Sequence, residues 1–128
     1  MSAMSDYLEL EILDHVLGTG AYTMPSNVYV GLATGSFGDD ASGSELSGSG
    51  YTRKVAAFSA ASGGTTSNSG AIEFPAATGS WGSVSHFGIF DASSSGNLLI
   101  HGAFSAAKTI ASGDILRIAV GDLDVTAA

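Results

Sequence analysis

Two periods of hydrophobic residues run along the chain. From Ser5 to Leu17 the apolar positions are Tyr7, Leu8, Leu10, Ile12, Leu13, Val16 and Leu17. Leu8, Ile12 and Val16 recur at i, i+4, i+8, and Leu10, Leu13 and Leu17 at i, i+3, i+7, which predicts an amphipathic helix with a broad apolar face. Ser5 is suited to the N-cap, Asp6 and Glu9 to the positive end of the helix dipole, His15 to the negative end and Gly18 to the residue after the C-cap.

Beyond the helix the period falls to two. Alternation or short apolar runs predict strands at 28–32, 51–58, 71–74, 84–90, 98–104, 109–110 with 115–120, and 123–126. In VSHFGIF, Phe87 and Ile89 are expected on one side and Val84, His86 and Phe90 on the other. The turn chemistry of residues 91–97 makes 84–104 a β-hairpin. Seven or eight strands with turns every 8–12 residues predict a mainly β fold: an antiparallel β-sandwich or jelly-roll-like barrel with one N-terminal α-helix. The expected division is an amphipathic helix at 1–20 and a single β-sandwich domain at 21–128. No fixed-period repeat is visible, which argues against a solenoid or propeller.

Composition sharpens this reading. Gly, Ser and Ala make up 57 of 128 residues, yet 45% of the chain is hydrophobic and only 12% charged. A disordered chain shows the reverse balance, so a folded protein with long Ser/Gly turns is expected. Residues 35–50, GSFGDDASGSELSGSG, form a loop of unusual length, and such loops are commonly functional or mobile. Four basic residues against twelve acidic ones give a net charge of −8. Nucleic-acid binding rests on neutralising phosphates, so a DNA or RNA partner is excluded as an expectation, and so is electrostatic attachment to anionic lipid. No apolar run approaches the ~18–20 residues that span a bilayer. The first residues lack a basic and an apolar region, so no secretion signal is expected. There is no cysteine.

The search for chemistry is short. No G-x-S-x-G elbow is present among the many serines. His86 and His101 fall on strands expected to pair and, with Asp91, offer three zinc ligands, but no HxH or HExxH spacing supports the set. Asp39-Asp40 lacks the calcium-loop pattern. Asp122 and Asp124 suit solvated edge charges, and Gly48-Ser49-Gly50 lacks the context of a phosphate loop. The expectation is a non-enzymatic protein without cofactor or metal. Trp81 has two readings: a platform stacking on a sugar ring, with Tyr22 or Tyr51 beside it, or a lid over the end of the barrel, which is the favoured one.

One ordered set of residues carries a resemblance. It runs from Leu13-Asp14-His15 through Tyr29-Val30-Gly31-Leu32, Glu45 to Arg53, Trp81-Gly82, His86 to Ala92 and Gly96 to Leu99, and ends at Gly121-Asp122-Leu123. It resembles the small virion proteins of tailed bacteriophages, often labelled tail-fibre or minor structural proteins, over nearly the whole chain. The resemblance implies a virion component assembled in the host cytoplasm. Because 128 residues reading as one domain hold no shaft, decoration (cementing) of the capsid is expected ahead of a tail-fibre or tail-tip role; a carbohydrate-binding jelly-roll module is the alternative of another class. Partners are expected to be further copies of the chain, as a homotrimer, given its charge-poor surface, and the major capsid protein or tail proteins. The contact residues expected are Leu8, Ile12 and Val16 on the helix, Asp39, Asp40 and Glu45 in the long loop, Arg53, and Trp81. A Glu45–Arg53 pair would staple the turn into the next strand, contributing little if exposed.

Overall fold

A computed structural model describes residues 2–127; Met1 and Ala128, at the outer ends of the two expected segments, lie outside the described residues. In chain order the elements are β1 (Ser2–Met4), α1 (Asp6–Val16), β2 (Val28–Ala33), β3 (Lys54–Ala56), β4 (Thr65–Ser67), β5 (Ile72–Glu73), β6 (Gly82–Phe90), β7 (Leu98–Ile110), β8 (Arg117–Ile118) and β9 (Asp124–Thr126). Among the described residues all strand pairs are antiparallel. A five-stranded sheet has the order β1-β7-β6-β2-β3, and two ladders, β4-β9 and β5-β8, stand apart from it. The fold is mainly β and sandwich-like, with one N-terminal helix. The sheets do not close, so the barrel form of the expectation is corrected: each ladder is only two or three residues long and leaves open edges.

The helix forms as its pattern predicts. The Ser5 side chain accepts the Leu8 N–H, and Gly18 takes a φ of 81° while the Thr19 N–H closes on the Asp14 carbonyl at 2.9 Å, the arrangement glycine permits after a helix C-cap. Two strands were not legible. Ser2–Met4 has no alternation to read, yet it pairs with Ile100–Gly102 of β7. Thr65–Ser67, inside a small polar stretch, pairs with Asp124–Thr126. The β6–β7 hairpin stands as expected, with 98–104 and 109–110 merged into one long strand.

The pleat of the large sheet separates two clusters. Val30 and Leu32 of β2 and Phe87 and Ile89 of β6 face the main core, where they meet Ile72, Phe74, Trp81, Ile110, Leu116, Ile118, Leu123 and Val125. Val84 joins this side rather than that of Phe90. The cause is a bulge: between the pairs Val84↔Lys108 and His86↔Ala103 the register shifts, so one residue of β6 opposes four of β7 and the alternation resets. On the opposite face Ala33, Phe90 and Leu98 form a smaller cluster, roofed by Phe37 of the 35–50 loop. Buried Asn68 ties down the segment between β8 and β9. Its side chain donates to the carbonyls of Gly70 and Ala119 and accepts the Leu123 N–H, all within 2.9 Å. Among the described residues no helix is long and apolar enough to cross a membrane.

Candidate functional site

The Gly/Ser-rich loop at 35–50 is not the mobile stretch its composition suggests. Phe37 is 3% exposed beneath it. The Gly43 N–H donates to the Phe37 carbonyl at 2.8 Å and the Leu46 N–H to the Leu32 carbonyl at 2.9 Å. Farther along, Trp81 Nε1 donates to the Ser49 carbonyl at 2.9 Å. Apolar burial and satisfied backbone groups offset the ordering entropy that such a loop costs.

Glu45, Tyr51 and Arg53 form the densest polar cluster. Arg53 grips Glu45 two-pronged, Nη2 to Oε1 at 2.8 Å and Nε to Oε2 at 2.9 Å. Its remaining nitrogen, Nη1, donates to the carbonyls of Ala92 and Ser95 in the β6–β7 turn at 2.9 and 2.8 Å. The guanidinium carbon lies 3.6 Å from the centroid of the Phe90 ring, within the range of a cation–π contact. The Tyr51 hydroxyl donates to Glu45 and accepts the Leu32 N–H. Burial, reinforced by the hydrogen bond to Glu45, pushes the Tyr51 phenol well above its ordinary range. The Arg53 side chain is only 8% exposed and that of Glu45 22%, so the expected staple is present and shielded. It joins the loop, β2 and the hairpin turn.

Asp39 connects the other two expected contact elements. Its carbonyl accepts the Asp6 N–H at 2.8 Å, and its carboxylate lies 2.7 Å from Nε2 of His101 on β7. The loop and the start of α1 therefore meet on the sheet. Asp40 points to solvent, and hydrogen bonds from Ser42 hold its carboxyl below the usual range. His86 lies diagonal to His101, opposite Ala103, and its Nδ1 contacts the Ser85 hydroxyl. Among the described residues no group of three His, Asp or Glu is placed to hold a metal ion.

Two of the expected contact residues are buried, and for Trp81 this fits the lid reading favoured over the sugar platform. Trp81 is 5% exposed and sits edge-on to Tyr51 with ring centroids 5.6 Å apart. Tyr51 is thus beside it as anticipated, but inside the core, where no sugar ring reaches. Leu8 is also buried: it anchors α1 to its own domain, while Ile12 lies at the margin and Val16 in solvent. The helix presents Leu10, Leu13 and Leu17 outward, on the face opposite Leu8. Sequence reasoning also passed over Gly31 and Gly88. Each interrupts a strand pattern, which is the signal for a close approach.

The polar residues of this mainly β, sandwich-like protein are spent on fastening its own loops. The comparison with protein families gives its kind: residues 3–126 match the family described as podophage GP4 fiber I protein gp80. The chain belongs to this bacteriophage fibre-protein family, and it is a structural protein of the virion. No curated protein matches it.

Proposed function

We propose that this protein is a non-enzymatic subunit of the fibre apparatus of a bacteriophage virion, acting as a homo-oligomer that joins neighbouring virion proteins. The observation that carries the reading is the family match over residues 3–126, which takes in α1 and both faces of the sandwich. Two structural features support it. The Glu45–Tyr51–Arg53 cluster is consumed by internal hydrogen bonds, and the surface clefts of about 340 and 620 Å³ are lined by residues of other segments. A trimer multiplies weak contacts through effective concentration, which suits attachment to a repeated lattice of capsid or tail proteins.

The test is the position of the protein in the particle. Cryo-electron microscopy of intact virions, with antibody labelling of the chain, is expected to place it on fibres. Density spread over the head lattice would favour capsid decoration. Detection of the protein only in infected-cell lysate and not in particles would overturn both.

A further inference from the structure

Cations are few in this chain, and two of them meet at one cleft. Four basic residues stand against twelve acidic ones, and Arg53 is spent inside the molecule. Of the other three, Lys108 on β7 and Arg117 on β8 both line a cleft of about 340 Å³. The ion pairs among the described residues are Glu45–Arg53 and Asp39–His101, so neither of these cations is paired. Glu73, the register partner of Arg117, lines a different groove. Asp122 supplies the carboxylate that lines the cleft. Two cations against it leave one net positive charge, on a protein whose total is −8.

The walls of the cleft have a structural cause. At the β6–β7 bulge residues 104–107 have no register partner on β6, and on the outer side of β7 the β1 strand covers only Ile100–Gly102. Bulges gather beside binding sites, where they end pairing and re-aim side chains. The floor is apolar. Val84, Leu116 and Ile118 are buried, and Phe104, half-buried, lies against Phe87 with ring centroids 5.4 Å apart. An apolar floor beneath unpaired cations suits an anion with an apolar body.

We propose that this cleft binds a monocarboxylate whose apolar body is about the size of one amino-acid side chain. Lys108 and Arg117 hold the carboxylate, the planar arginine fork matching its two oxygens, and the body covers Val84, Phe104, Leu116 and Ile118. The size follows from the volume, at the lower end of the ~300–1,000 Å³ of small-molecule sites. The single charge follows from Asp122, which repels a second one. Two sources carry this chemistry: a free organic acid, and the C-terminal residue of a polypeptide. The unpartnered strand at 104–107 beside the cleft offers backbone groups that a peptide can pair with. The inference does not depend on whether the chain sits on a fibre or a head.

The experiment is titration calorimetry with amide NMR on the full chain, using N-acetyl-leucine, its uncharged amide and a short peptide ending in leucine as probes. N-acetyl-leucine is expected to bind at millimolar concentration and to shift the amides of residues 104–108 and 116–118, with the uncharged amide about tenfold weaker. Lys108, Arg117 and Asp122 are exposed, so their variants are expected to melt as the wild type does. Lys108→Gln and Arg117→Gln should each weaken N-acetyl-leucine about tenfold, Lys54→Gln should leave it unchanged, and Asp122→Asn should tighten it several-fold. Should a variant fail to fold, the shift map of the wild type and the weakening of binding by added salt decide instead. A peptide that binds more tightly than N-acetyl-leucine assigns the source to a polypeptide C-terminus; equal or weaker binding assigns it to a free acid. The proposal is overturned if neither acid binds at millimolar concentration, if the uncharged amide binds as well as the acid, or if the shifts map elsewhere. Wild-type affinity in both Lys108→Gln and Arg117→Gln overturns it as well.

Discussion

Gly31 on β2 and Gly88 on β6 are register partners, and the Phe90 ring lies against both. A Cβ at Gly31 would stand 2.7 Å from Glu45 Oε2 and 2.9 Å from Phe90 Cε1; one at Gly88 would stand 3.0 Å from the same ring carbon. The missing side chains make the trough in which the Glu45–Tyr51–Arg53 cluster and the Phe90 ring sit. Gly31→Ala is therefore expected to destabilise the protein by about 1–3 kcal/mol through overpacking. Gly35→Ala, where nothing lies within 4 Å of the added carbon, is expected to be neutral or slightly stabilising. Urea denaturation of both variants checks the contrast, and equal effects would refute it.

Arg53 holds the long loop, the hairpin turn and the Phe90 face together. Removing it leaves Glu45 shielded with the Tyr51 hydroxyl but no counter-charge, so Arg53→Ala is expected to cost about 3 kcal/mol. Arg53→Lys keeps the charge but cannot make the two-pronged grip and the two carbonyl contacts at once, and it is expected to recover less than half of the loss. Hydrogen exchange in residues 35–50 and 91–97 should accelerate together in both variants. Acceleration in one segment alone would mean that Arg53 does not couple them.

Tyr51 makes stability depend on pH in the alkaline range. Its phenol is raised above the ordinary value of 10.0 by burial and by the hydrogen bond to Glu45. The folded state therefore holds this proton more tightly than the unfolded one. The contribution is fully present below about pH 10, the ordinary phenol value, and is lost as pH climbs towards the raised one. Melting temperature is expected to fall more steeply above that pH in the wild type than in Tyr51→Phe. Parallel curves would remove Tyr51 as the cause.

The single Trp81 reports directly on its own burial. Its fluorescence is expected to be blue-shifted and resistant to quenching by iodide in the native protein, and unchanged by added oligosaccharides. Trp81→Ala removes a core side chain and the bond to the Ser49 carbonyl, a loss expected to cost about 3–5 kcal/mol. Ready quenching by iodide in the folded state would return Trp81 to the surface and reopen the sugar-binding alternative.

The two faces of α1 should separate in mutagenesis. Leu8→Ala, at a buried position, is expected to cost about 2 kcal/mol or more. Leu10→Ala, on the outward stripe, should leave the stability of the isolated subunit within about 0.5 kcal/mol. Deletion of the N-terminal segment is a poorer test, because it also strips the β1 strand from β7.

Local pattern was enough for the helix with its Ser5 and Gly18 caps, for the β6–β7 hairpin, and for the mainly β class with its antiparallel order. Each depends on residues close in sequence: a 3.6-residue period, a turn, an alternation. The ordered motifs from Leu13 to Leu123 were enough for the phage virion family. The Glu45–Arg53 pair was also legible, since the two residues lie eight apart at the entrance to a strand.

What the chain alone left open depended on which distant surface came to lie against which. The helix pattern marks seven apolar positions but not the side that the sheet would take, so Leu8 became an anchor and Leu10, Leu13 and Leu17 stayed outside. The 35–50 loop reads as mobile because Gly and Ser contribute no burial of their own. It is held by Phe37, Asp39, Glu45 and the Ser49 carbonyl, through partners on β2, β6, β7, α1 and the Trp81 segment. Strands β1 and β4 have no periodicity of their own and exist because β7 and β9 offer unpaired backbone groups. Periodicity says which residues seek burial or pairing; only the tertiary structure supplies the partner, because the surface that satisfies them is built from segments tens of residues away.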